Sequence, residues 1–302
     1  MKNQGIGVTI SSLHLKNPTV LAAGILGISA PSLRRIAKAG AGAVVTKSIS
    51  LRPKKGNLNP TVVEAECGFL NAMGLPNPGI EDFKSEISDL KDANIPIITS
   101  IFGESPNEFA RIASEVENAG GNAVELNVSC PHEDVGQIGQ NPRLTAEVVK
   151  MVKETVKVPV FVKLTPNVTE IKEIAHAAEK AGADGITAIN TLRAMKIDIE
   201  TGRPILFNKF GGLSGPAIKP LAVRCIYEIF ETVKIPILGV GGVSNWKDAI
   251  ELILAGASAI QIGTALISGL TVFKEIIRGI KNYLKARDYG SISDIIGLAH
   301  RR

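Results

Sequence analysis

One grammar repeats along this chain: a short run of aliphatic and β-branched residues, a polar loop, then a stretch with helical spacing of apolar positions. Eight such runs occur, Thr19 to Ala23, Ala43 to Lys47, Ile97 to Ile101, Ala123 to Asn127, Val160 to Leu164, Gly185 to Asn190, Ile237 to Gly241 and Ala259 to Gly263. Their near-continuous apolar character is that of strands covered on both faces, as parallel sheets require. Ala-Gly pairs at 39–40, 119–120, 181–182 and 255–256 fall a few residues before a run, where glycine can take the left-handed position that ends a helix. Helix starts are signalled by Pro31, Pro106 and Pro142 and by Ser244 as a cap before Trp246. Eight β/α units without a linker predict a (β/α)8 TIM barrel, one domain over residues 1–302, behind an N-terminal ribbon of Val8 to Ile10 and His14 to Lys16.

Two connections are too long for turns, Ser48 to Pro78 and Thr191 to Pro220, and long loops in such folds carry function. The second contains Lys196 to Ile205, whose alternation about Thr201-Gly202 predicts a β-hairpin over the barrel mouth. In the first, Cys67 to Pro78 holds glycines at 68 and 74 beside Asn71 and is expected to close over a bound ligand. The net charge of +5 comes from scattered basic residues, and aromatics are only 4% of the chain. Only Arg52-Pro53-Lys54-Lys55 comes close to a basic patch, so no nucleic-acid partner is expected. No apolar stretch is long enough to span a bilayer and Met1 to Gln4 lacks a signal pattern, so a cytoplasmic location and no membrane partner are expected. Cysteines at 67, 130 and 225 make no metal or cluster spacing.

The residues just past the runs are chemically unusual. They include Lys47-Ser48, Ser100, Asn127, Lys163, Asn190-Thr191, Gly241-Gly242 and Gly263-Thr264, all predicted to converge on the C-terminal face of the barrel. A lysine ending a buried strand wants an anionic partner. Glycines in the loops after runs seven and eight leave backbone amides open to a phosphate. In E-L-N-V-S-C-P the alternation of Val124, Leu126 and Val128 breaks at Ser129, and Pro131 holds Cys130 on extended backbone. A thiol so placed can act as acid or base, although a packed cysteine is the plainer reading of the residue alone.

The motifs T-K-S, N-A-M-G-L-P-N-P-G, N-V-S-C-P, F-V-K-L-T-P-N, I-N-T, G-G-L-S-G-P-A-I-K-P and G-V-G-G-V occur in one order over nearly the whole chain. In that order they resemble the class 1 dihydroorotate dehydrogenases. The resemblance implies FMN as cofactor and oxidation of dihydroorotate to orotate in pyrimidine biosynthesis. By position, it implies FMN contacts at Ala22, Lys47, Ser48, Ser100, Asn127, Lys163, Ile189, Gly215, Gly241, Gly242, Gly263 and Thr264. Substrate contacts are implied at Lys47, Asn71, Ala72, Met73, Gly74, Leu75, Asn127, Asn190 and Thr191, with Cys130 as the catalytic base and no metal.

The segment Ser214 to Pro220 and the hairpin are similar to the NAD-linked subtype. That subtype is a homodimer within a heterotetramer, its partner subunit carrying FAD and an iron-sulfur cluster. Three features depart from it: Ser100 where asparagine is common, Gly74 to Asn77, which resembles the fumarate-linked homodimers, and His132 to Gln140. A dihydrouridine synthase-like flavoenzyme acting on tRNA, and a non-catalytic FMN scaffold, stand as the other readings. The first lacks an RNA-binding domain here, and the second leaves the cysteine and three asparagines without a purpose.

Overall fold

A strand covered on both faces can complete its hydrogen bonds only by pairing on each side, and eight of them do so by closing on themselves. The computed structural model describes residues 5–129 and 138–301. The strands β1 (Thr19–Leu21), β2 (Ala43–Val45), β3 (Ile97–Ile101), β4 (Ala123–Asn127), β5 (Val160–Leu164), β6 (Gly185–Ala188), β7 (Ile237–Val240) and β8 (Ala259–Ile262) form a closed barrel in sequence order. Each neighbouring pair is parallel, and the ring is closed by β8 on β1 at Ile262 and Leu21. The eight expected runs are these eight strands. They stop short only at their C-terminal ends, where Ala22, Lys47, Asn190, Gly241 and Gly263 leave the ladder.

Helices α1 (Ala30–Ala39), α2 (Ile80–Asp89), α3 (Pro106–Ala119), α4 (Pro142–Thr155), α5 (Ile171–Lys180), α6 (Lys219–Thr232), α7 (Trp246–Leu254) and α8 (Thr271–Ala286) follow the strands. Their apolar stripes join one core with the barrel's outer faces, in which Phe83, Phe109, Phe161 and Phe273 are fully buried. Each such ring contributes about 1.5–3 kcal/mol by leaving water. Ser105 caps α3 by accepting from the Glu108 amide, and Asn141 caps α4 by accepting from the amides of Arg143 and Leu144. The expected cap at Ser244 is corrected to Asn245. Its side chain accepts from the Lys247 and Asp248 amides while the Asp248 carboxylate accepts from the Asn245 amide, a reciprocal box that Ser244 stands one residue too early to make. Gly40 and Gly120 end α1 and α3 in left-handed conformations, as the Ala-Gly pairs predict.

The two long connections do not lie separately. Leu192–Met195 pairs with Phe210–Ser214, which pairs with Gly68–Asn71, which pairs with Val62–Ala65, all antiparallel. This four-stranded sheet roofs the C-terminal face. The expected hairpin is also present, with Ile197–Asp198 against Arg203–Pro204. Its turn closes through the Gly202 amide, donating to the Asp198 carbonyl with φ +67 at the glycine. The N-terminal ribbon pairs Val8–Ile10 with Leu13–Leu15, one residue earlier than expected in its second strand. Among the described residues, no helix is long and apolar enough to cross a membrane.

Candidate active site

The side chains that leave the ladder at the C-terminal strand ends join one hydrogen-bonded chain. Ser48 and Ser100, from the ends of β2 and β3, share a bond at 2.9 Å. Asn127, closing β4, donates to Ser48 Oγ at 3.2 Å. Its other amide atom, Oδ1, accepts from the Ser129 hydroxyl at 2.8 Å and from Asn190 Nδ2 at 3.3 Å. Asn190 also donates to Ser129 Oγ and accepts from the Thr191 amide at 2.8 Å. Four strand ends are thereby locked in one polar seam, of which Ser129 was not anticipated because a serine before Cys-Pro reads as an ordinary turn residue.

The roof descends onto this seam. Asn71 Nδ2 donates to the Gly212 carbonyl at 3.3 Å, and a Cβ on Gly212 would lie 2.1 Å from Thr191 Oγ1. Asn71, Thr191, Asn190 and Asn127 therefore form a continuous wall. Ala72, Met73, Gly74 and Leu75 continue from Asn71, half-buried. They are not a free loop. The Ala72 amide donates to the Thr61 carbonyl at 2.7 Å, Asn57 bonds both Ala72 and Met73 carbonyls, and Lys54 and Asn77 exchange backbone bonds. The expected lid over Cys67 to Pro78 is thus a strand followed by a laced segment. Asn167, also unanticipated, ties Thr165, the Thr191 carbonyl and the Arg193 amide together.

A second group gathers where the loops after β6, β7, β8 and β1 meet. Thr264 donates to Ser214 Oγ at 2.9 Å, beside Gly215. Ile189 packs toward Gly241, and Ala22 toward Gly263. Gly242, at φ +75, would place a Cβ 2.6 Å from Lys219 Cβ and 2.8 Å from its backbone nitrogen. The glycine there is required by the start of α6 pressing on it, a packing reason that stands beside the tight turn and the ligand approach expected from the sequence.

Two ammonium groups sit in this face. Lys47 is buried and makes no ion pair among the described residues, and burial pushes its pKa below the usual lysine range. Lys163 is paired in register with Asn127 on one side and Thr187 on the other, with Glu125 Oε1 3.9 Å from its Nζ. An isolated buried ammonium is costly and calls for an anion. Asn71, Asn127 and Asn190 offer both donors and acceptors to a flat ligand edged with C=O and N–H groups. This donor set fits a flavin phosphate and ring together with an anionic heterocycle. Of the cysteines, Cys225 is buried in α6 with its thiol pushed up by burial, and Cys67 is exposed. Cys130 and most of the segment His132 to Gln140 lie outside the described residues.

A family model described as dihydroorotate dehydrogenase matches residues 6–284. The chain is 54% identical over 297 residues to the "Dihydroorotate dehydrogenase B (NAD(+)), catalytic subunit" of Methanothermobacter thermautotrophicus, covering 97% of each chain. Proteins of the same description from Methanocella arvoryzae and Pyrococcus abyssi are 53% and 52% identical, covering 96% and 97% of this chain and 96% and 98% of theirs. A crystal structure of dihydroorotate dehydrogenase from Eimeria tenella with ferulenol superposes with a TM-score of 0.87 at 21% identity, covering 100% of this chain and 90% of that one. That last likeness is one of fold.

Proposed function

The chain belongs to the dihydroorotate dehydrogenase family, and from that premise we propose that it oxidises (S)-dihydroorotate to orotate with FMN, Cys130 removing the C5 proton. The observation that carries the reading is the pair of buried ammoniums beside a seam of serine and asparagine side chains at one end of the barrel. FMN, when bound, supplies a hydride acceptor for C6. Amides of the loops at Gly215, Gly241, Gly242, Gly263 and Thr264 would hold its phosphate, while Ala22, Ser48, Ser100, Asn127, Lys163 and Ile189 would flank the rest.

The protein's part in the chemistry is to bind, orient and deprotonate. Lys47 meets the negative charge of the substrate carboxylate, which returns the buried ammonium to a paired state. Asn71, Asn127, Asn190 and Thr191, with the backbone of Ala72 to Leu75, fix the ring edge. Because Asn127 and Asn190 are already bonded to each other and to Ser129, their amides are oriented before substrate arrives, and that preorganisation lowers the cost of reaching the reactive geometry. Ser129 fixes the backbone one residue before Cys130. A thiol titrates near pH 8.5 when unperturbed, about 1.5 units above neutrality, so a thiolate is within reach as a general base. Lys163 sets positive charge where a reduced flavin ring carries negative charge.

Electrons then leave to NAD through a partner subunit holding FAD and an iron-sulfur cluster, two copies of each chain forming a heterotetramer; the relatives' description as NAD-linked catalytic subunits supports the acceptor and the existence of a partner. Adding dihydroorotate anaerobically to the purified yellow protein should bleach its flavin absorbance within seconds. A flavin that stays oxidised would refute the assignment, and a protein that takes up no FMN would refute the cofactor.

A further inference from the structure

The barrel interior holds a buried charge that the mechanism above leaves unused. Glu125 stands on β4 two residues before Asn127 and is fully buried. Its Oε2 accepts from the Thr187 hydroxyl at 2.9 Å and from the Gln261 amide at 2.7 Å. One carboxylate thus joins β4, β6 and β8, alternate strands that can meet only across the interior, in the layered manner of such barrels. Its Oε1 has no hydrogen-bond donor among the described residues. What faces that oxygen is Lys163 Nζ at 3.9 Å, and the lysine side chain is 8% exposed against 0% for the acid. This is the only ion pair that Lys163 makes among the described residues.

A carboxylate kept for packing would be served by an apolar side chain of similar size at lower cost, and one kept for hydrogen bonding would have both oxygens filled. Here one oxygen is clamped by two donors and the other is held open toward the lysine. At 3.9 Å the attraction is Coulombic without a hydrogen bond, so the ammonium protons remain free for a ligand above while its charge is partly offset from below.

We infer that Glu125 is the positioning residue of Lys163 and the counter-charge that sets how strongly this ammonium stabilises a reduced flavin; this rests on the FMN site proposed above. Thr187 and Gln261 are the clamp that keeps the acid in place. Removing the negative charge exposes the flavin to the full field of Lys163, which favours the reduced anionic ring.

E125Q keeps the volume and an oxygen for the Thr187 and Gln261 donors while deleting the charge. Spectroscopic redox titration of the flavin-loaded enzyme should show the two-electron equilibrium displaced about tenfold toward reduced flavin, an upward shift of about 30 mV. Thermal melting of the apo forms supplies a flavin-independent reading. E125Q and K163Q should each melt below the parent, and E125Q/K163Q should recover part of the sum of their losses, because neither charge is then left alone. The inference is overturned by an unchanged or lowered potential, by an E125Q that folds but releases its flavin, or by additive melting losses. Should E125Q fail to fold, the double variant decides: folding supports the pairing, and failure where K163Q alone folds overturns it. A parent chain that takes up no FMN overturns the proposed function, and this inference with it; a flavin-loaded parent with an unmoved E125Q overturns the inference alone.

Discussion

Lys47 places usefulness and stability in opposition at a single side chain. Its ammonium is buried without an acid beside it among the described residues, and its pKa is lowered by that burial. A lysine whose folded pKa is depressed binds fewer protons in the folded than in the unfolded state, so the penalty is fully present below the folded pKa and fades as pH rises toward 10.5. K47M should therefore raise the melting temperature of the ligand-free protein at pH 7 by roughly 2 °C. The gain should shrink as pH rises toward 10.5, and orotate should no longer shift the melting curve. A K47M protein that melts lower at pH 7 would show that the ammonium has a partner in the folded chain. C130S should retain FMN but slow its reduction by dihydroorotate about 100-fold or more at pH 7, with the deficit narrowing as pH climbs, read by stopped-flow absorbance. Most of these side chains were legible because polar residues interrupt apolar runs at Lys47, Asn127, Lys163 and Asn190. Glu125 was not, since alternation with Val124 and Leu126 is also the pattern of a strand with a wet face, and only barrel closure turns that face inward.

At the level of elements, the barrel strands and the roof differ in how much of themselves a sequence discloses. Ile97–Ile101, Ala123–Asn127 and Val160–Leu164 appear at the expected bounds because continuous burial leaves a mostly apolar run between polar loops. Gly68–Asn71 and Phe210–Ser214 are half-exposed, rich in glycine and partnered by residues about 140 positions away, so no local period marks them. Their pairing changes what closure over a ligand can mean. The Ala72 and Asn77 amides are bonded to Thr61 and Lys54, and hydrogen exchange should show both protected without ligand; rapid exchange there would restore the picture of a loose lid. G242A tests the junction of the loop after β7 with the start of α6. With φ +75 and a Cβ 2.8 Å from the Lys219 nitrogen, it should cost roughly 2 kcal/mol or more in urea unfolding, since neither backbone can yield cheaply.

For the whole molecule, the eightfold repeat sufficed for the architecture, whereas the electron acceptor depends on surfaces that no repeat encodes. With the single flavin site proposed above and one barrel among the described residues, the chain should reduce artificial dyes with dihydroorotate yet barely reduce NAD, and co-expression with a flavin and iron-sulfur subunit should restore NAD reduction. Efficient fumarate reduction by the lone chain would instead favour the homodimeric subtype that Gly74 to Asn77 resembles. The roof also sets a schedule for the polypeptide as it is made. Its central strand pair joins Gly68–Asn71 to Phe210–Ser214, so the ribosome must deliver residue 214 before the first half of the site can find its partner. Until then Gly68–Asn71 keeps an open edge, the kind of surface on which nascent chains associate wrongly. Completion of this face is accordingly a late event of synthesis, and stalled chains ending before Leu192 should expose Val62–Ala65 and Gly68–Asn71 to protease where the finished protein does not.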